Sequence, residues 1–230
     1  MTTCTTTLDP VSLRATQRSI AVHEAGHAVA AWYAACRGYN EQRFSRVWMR
    51  RTADAAGSAQ EFSLGAIDHT ESAMTWSDSG SPLRDVGKLQ SDLQVCYLRY
   101  AEADLFVSLA GPMAELRHSE GCIDHWSDAA LDDISNAICH PRRGFGCCGN
   151  VSRIDGELRY FELWERRGSV LPRLIRRAAR FLERSAVWAL VMETAHAIEC
   201  RDLSFDDIVK IAGGRFDKLP EDLPPSFREF

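Results

Sequence analysis

Two histidines four residues apart, His23 and His27, bracket a glutamate, Glu24, in the run Ile20-Ala21-Val22-His23-Glu24-Ala25-Gly26-His27-Ala28-Val29-Ala30. Nothing in that run interrupts a helix, and on a helix this spacing brings both imidazoles to one face, one turn apart. Imidazoles so placed can share a tetrahedral zinc ion. Glu24 is rotated about 100° from His23. It sits beside such an ion rather than on it, where a carboxylate can accept a proton from an activated water. The pattern is short enough to arise by accident in roughly one chain in a hundred. Its surroundings argue against accident. Ile20, Val22, Ala25, Ala28, Val29, Ala31 and Trp32 make the helix apolar on nearly all sides, the mark of a buried element. Two histidines and a glutamate on a buried helix are costly unless paired or metal-bound. Gly26 costs the helix about 1 kcal/mol relative to Ala, which predicts a backbone or ligand passing close to that face.

A catalytic zinc needs three protein ligands and an open position. Residues 126–139 read as a helix that carries Asp128, Asp132 and Asp133, with Ala130, Ile134, Ala137 and Ile138 as its apolar stripe. Asp133 lies three residues after Ala130 and four before Ala137, so it is expected on the inward side. A carboxylate facing a core calls for a cation. Asp133 is therefore the expected third ligand and Asp128 the reserve. The competing reading makes all three aspartates solvated helix charges. His118, one turn after Glu115, and His125 are candidates for a ligand or for a partner of one. His196 reads as a core or surface histidine, and His69 lies in a polar stretch.

The composition limits what can surround such a site. A chain of 230 residues, 45% hydrophobic and 26% charged, suits one well-buried soluble domain. Net charge −5 gives no general pull toward nucleic acid or membranes. No apolar run approaches the roughly 20 residues of a membrane span, and Met1 to Thr7 lack the basic and apolar regions of a signal peptide. Eight cysteines without a C-x-x-C pair fit reduced thiols, hence a cytoplasmic location. Cys139, His140, Cys147 and Cys148 form one odd cluster. Adjacent cysteines rarely ligate one structural ion, so zinc there is not the expected reading.

Residues 1–9 form a polar lead-in, 10–213 a single domain with an irregular insertion at 142–160, and 214–230 a Pro-rich tail. Within the domain a helix is expected over 11–36 and a strand over 44–50. Val47, Trp48 and Met49 on that strand are expected to bind substrate by pairing with an extended peptide, as edge strands do. Residues 61–81 read as loop with room for a short strand. A helix over 85–117 is expected to break at Gly111-Pro112, with Pro112 opening a fresh helix. A long helix over 172–200 carries Arg173, Arg176, Arg177, Arg180 and Arg184 on one side, read as a solvated face rather than a nucleic-acid site. A short helix follows Leu203. The fold class is mainly α with a small β-sheet, α+β.

Three segments, taken in order, resemble one family. His23-Glu24-Ala25-Gly26-His27-Ala28 resembles the zinc motif of the peptidase domain of FtsH-type ATP-dependent zinc metalloproteases. Leu109-Ala110-Gly111-Pro112-Met113-Ala114-Glu115 is similar to that family's Gly-Gly-Arg-Ala-Ala-Glu stretch, with its arginine replaced. Ala130-Leu131-Asp132-Asp133-Ile134-Ser135-Asn136-Ala137 resembles the helix supplying its third ligand, which aligns with Asp133. The resemblance covers roughly residues 12–212, and only its first motif is specific. It implies a zincin-like, FtsH-peptidase-like helical domain with Zn2+ held by His23, His27 and Asp133, and Glu24 as general base. No Gly-x-x-x-x-Gly-Lys-Ser/Thr phosphate loop is present, and no ATPase or membrane segment accompanies the peptidase. The implied substrates are peptides or unfolded proteins, with a separate unfoldase or adaptor as partner. Self-association is left open. The rival readings are another HExxH peptidase with a different third ligand, and a non-catalytic zinc-binding interaction protein that keeps the fold.

Overall fold

A computed structural model describes residues 10–37, 44–53, 60–69, 91–119, 126–139 and 167–214. The lead-in, the 142–160 insertion, His125, His140, Cys147, Cys148 and most of the tail lie outside these residues. The elements in chain order are α1 (Pro10–Cys36), β1 (Phe44–Ala53), β2 (Gln60–His69), α2 (Ser91–Ser119), α3 (Asp128–Cys139), α4 (Arg167–Glu183), α5 (Ser185–Cys200) and α6 (Phe205–Ala212). The mainly helical expectation holds. α1 is the central element: α2, α5, α6 and both strands pack around it. Residues 21–34 of α1 are buried on every side, as its unbroken apolar surface requires.

β1 and β2 run antiparallel, Val47 opposite Ile67 and Trp48 opposite Ala66, so the second strand occupies part of the stretch read as loop. The far side of β1 is also taken at Val47. Its N–H donates to the Leu203 carbonyl at 2.8 Å, and the Leu203 N–H donates back at 2.9 Å. The Val47 side chain is fully buried, with Trp48 and Met49 half-buried. The expectation that Val47, Trp48 and Met49 offer a free edge to substrate is therefore corrected at Val47. At Val47 the chain has already paired that edge with itself.

α2 is continuous through Pro112, against the expected break. Proline forfeits the hydrogen bond to the Ser108 carbonyl and costs a helix interior about 3 kcal/mol. Phe106, Leu109 and Met113 lie within the same turns and are all buried. Each such burial contributes about 1.5–3 kcal/mol, so packing outweighs the local penalty.

The expected long helix over 172–200 is two helices, parted at Arg184, whose backbone is extended. The reason is a competing set of partners at the junction. Buried Arg117 of α2 donates to the Leu182 carbonyl, and its guanidinium lies 4.3 Å from the Trp188 ring centre. The Glu183 carboxylate accepts the Trp126 backbone N–H at 2.8 Å. Groups at the end of α4 are thus satisfied sideways, toward α2 and the start of α3. α4 itself begins earlier than expected, at Arg167. The bond Pro172 forfeits there would have gone to Gly168, which is exposed.

Two arginines of α4 are paired rather than simply solvated, while Arg180 is exposed as expected. Arg177 pairs with buried Glu102 of α2 at 2.6 Å and lies over the Phe106 ring. Arg176 pairs with Asp132 at 2.8 Å and reaches Asp128 at 3.8 Å. Burial pushes the Glu102 carboxyl above its ordinary range, against the opposing pull of Arg177 and Arg173.

α6 starts with a capping box. The Ser204 hydroxyl accepts the Asp207 N–H, and the Asp207 carboxylate accepts the Ser204 N–H. Replacing Ser204 with Ala is expected to cost about 1 kcal/mol of stability, read as a lowered urea midpoint. The same contribution is expected to fade in acid. The hydrogen bond from Arg201, then those from Ser204, hold the Asp207 carboxyl far below its ordinary value. A carboxyl depressed in the folded state stabilises above its unfolded pKa, about 3.9. That stability is lost as pH falls through the folded value. The gap between the wild-type and Ser204→Ala midpoints is expected to persist from pH 7 to pH 3 and to narrow only in stronger acid; a gap that stays constant there would contradict the assignment.

Candidate metal centre

The candidate site lies where α1 crosses α2. An added Cβ on Gly26 would lie 2.7 Å from the Ala110 carbonyl oxygen and 2.8 Å from the Ala114 Cβ. The backbone predicted to pass close to Gly26 is therefore that of α2. Gly111 performs the reciprocal service. A Cβ there would lie 2.3 Å from Nε2 of His27 and within 2.6 Å of two ring carbons, so the imidazole rests on bare backbone.

His23, Glu24 and His27 are all buried, at 6%, 6% and 7% exposure. Each imidazole is tied at Nδ1. Nδ1 of His27 lies 2.6 Å from the Val107 carbonyl oxygen, which can only accept, so that nitrogen carries a proton. Nδ1 of His23 lies 2.8 Å from Oε2 of Glu115, whose other oxygen is 3.0 Å from the Ser19 hydroxyl. Burial alone would raise the Glu115 carboxyl, but the hydrogen bond and charge of His23, with the Ser19 hydroxyl, outweigh it and lower the pKa. Glu115 is thus an ionised acceptor, and Nδ1 of His23 is a donor.

The two Nε2 atoms face each other at 3.1 Å. Imidazole nitrogens approach that way only with a proton or a cation between them. A tetrahedral zinc with Zn–N bonds near 2.0–2.1 Å sets two nitrogen ligands about 3.3 Å apart. The pair therefore fits the ion in spacing, tautomer and burial. A shared proton is the simpler occupant, and metal content distinguishes the two.

Asp133 does not join them. Among the described side chains of α3, Leu131, Ile134 and Ser135 are buried, while Asp128, Asp132 and Asp133 are exposed. The inward stripe is rotated away from the one drawn through Ala130 and Ala137, because Leu131 carries the packing. Asp133, about 100° from Ile134, falls on the outer side. Asp128 is 90% exposed and Asp132 57%, both facing Arg176. The expected inward carboxylate is corrected, and the solvated reading of the three aspartates fits better. Among the described residues no three His, Cys, Asp or Glu side chains stand together as a metal site.

His118 is half-buried. Burial, then the charge of Arg18, lowers its pKa. His196 is a surface histidine, 3.6 Å from Glu199. Sequence reasoning missed Glu115 as the partner of His23. Its position gave a signal: Glu115 follows Gly111 by four residues and shares the face of α2 that the glycine opens to α1.

Glu115→Ala is expected to weaken zinc binding about 10–100-fold, the usual effect of removing a carboxylate behind a ligating histidine. Competition with a chromophoric chelator measures it, and unchanged affinity would mean Glu115 does not orient the ring. No helix among the described residues is long and apolar enough to cross a membrane. The chain matches no known protein family, no curated protein and no solved structure.

Proposed function

We propose that the protein is a zinc-dependent metallopeptidase that hydrolyses peptide bonds in unstructured or partner-delivered polypeptides without ATP. One observation carries the reading: the 3.1 Å approach of the two imidazole Nε2 atoms, with Glu24 buried on the same helix. His23 and His27 would hold the zinc. Asp133 is left out of the ligand set because it is exposed. Bound there, zinc would supply Lewis acidity, lowering the pKa of a water toward 7 and polarising a peptide carbonyl.

The chain's own contribution is proton handling and orientation. Glu24 takes the proton from the attacking water and returns it to the departing amine. Glu115 and the Val107 carbonyl fix the two ring planes before anything binds, so no reorganisation is needed at the site. The resemblance to FtsH-type peptidase domains points to the same chemistry, with delivery of unfolded substrate left to another protein.

The test is zinc stoichiometry of the purified chain together with cleavage of an unfolded protein such as casein. About one zinc per chain, with cleavage abolished by chelation and restored by zinc, supports the proposal. Zinc bound tightly with no cleavage favours the non-catalytic interaction protein. No zinc bound at all leaves the imidazole pair sharing a proton and removes the proposal.

A further inference from the structure

The two imidazoles are anchored unequally. His27 leans on a main-chain carbonyl, which α2 holds in place by its own backbone bonds. His23 leans on the Glu115 carboxylate, at the end of a side chain with three rotatable bonds and 37% exposed. Left alone, that carboxylate would spend part of its time in water, and the His23 ring would lose its tautomer and its aim. We infer that Ser19 is a positioning residue of this site, its hydroxyl clamping Glu115 so that Oε2 stays on the His23 imidazole. The role deepens the zinc reading above and rests on it.

The geometry assigns each atom a task. The Ser19 hydroxyl donates to Oε1 of Glu115 at 3.0 Å while Nδ1 of His23 lies 2.8 Å from Oε2. Both oxygens are occupied at once, which fixes the plane of the carboxylate. Ser19 precedes His23 by four residues on α1, so the two share a face one turn apart, and one carboxylate reaching across from α2 meets both. A serine inside a helix has little helix propensity to recommend it. Here the hydroxyl finds its partner on the neighbouring helix. His27 needs no such helper, because its acceptor cannot rotate.

The experiment is a double-mutant cycle on zinc affinity with Ser19→Ala, Glu115→Ala and the double variant, and Ser19→Thr as the hydroxyl-preserving control. Ser19→Ala is expected to weaken zinc binding about three- to ten-fold, as losing one hydrogen bond of ordinary strength would. Ser19→Thr is expected to retain wild-type affinity. With Glu115 already replaced, Ser19→Ala is expected to do nothing more. An equal loss in both backgrounds overturns the inference, since Ser19 would then act without Glu115. A second readout needs no metal: nitrogen-15 spectra of the histidine rings in the metal-free protein. Wild type is expected to show His23 locked with its proton on Nδ1, and Ser19→Ala to show mixed tautomers. If the wild type takes up no zinc, the proposed function falls while these spectra still decide Ser19, and an unchanged His23 tautomer in Ser19→Ala overturns its role.

Discussion

Glu24→Gln is expected to reduce peptide-bond cleavage by two to four orders of magnitude, the range that a positioned general base contributes, while the fold and the zinc content stay as they are. The substitution keeps the volume of the side chain and removes only its ability to take a proton. Glu24 is 6% exposed on a helix whose neighbours are all buried, so a neutral amide there meets no new steric demand. Circular dichroism and metal analysis should therefore match wild type while turnover of unfolded casein falls to background. Cleavage persisting at wild-type rate with zinc bound would remove Glu24 from the chemistry. Loss of zinc along with activity would make it part of the ligand set instead.

Gly111→Ala is expected to abolish stable zinc binding and to destabilise the protein by about 1–3 kcal/mol, the usual cost of overpacking. On helix propensity alone the change should gain about 1 kcal/mol, so the sign is decided by space. A methyl group would sit 2.3 Å from Nε2 of His27. The ring cannot slide aside without giving up its Nδ1 bond to the Val107 carbonyl or its approach to His23. Gly168→Ala is the control: nothing lies within 4 Å of a Cβ there, and that variant should be as stable as wild type or slightly more so. Equilibrium urea unfolding and zinc competition on the two variants measure both effects. Full zinc affinity in Gly111→Ala would mean that the ring does not lie on the glycine.

How much of this was legible in the chain differs by element. α1 was readable almost to the residue, because an unbroken apolar helix around two histidines has few other places to go. The cost of Gly26 pointed correctly to a close backbone. It could not say whose, since that depends on which helix crosses α1. α3 was misread by one face. Alanine packs almost as readily on a surface as in a core, so Ala130 and Ala137 were poor markers of direction, and Leu131 was the better one. The break at Arg184 had no local signal, because it arises from Arg117 and Trp126, both far away in sequence. Pro112 misled for the opposite reason: a strong local signal was outweighed by burial of the residues around it. The partners of the histidines escaped for the same reason as the Arg184 break. Each is a contact between α1 and α2; the spacing of Glu115 from Gly111 shows which face of α2 it shares, but not that α1 lies against that face.

The pairing of Val47 with Leu203 joins residues separated by most of the chain. During synthesis α1 and α2 are both complete long before Leu203 leaves the ribosome, so the crossing that carries the histidines can form first. The outer edge of β1 waits. Until the segment after α5 arrives, the backbone N–H and C=O of Val47 lack the partners they find in the folded chain, and open strand edges recruit other chains. A nascent or clipped chain ending before Leu203 would thus carry its histidine pair together with an adhesive edge. The contact that covers this edge is therefore made late.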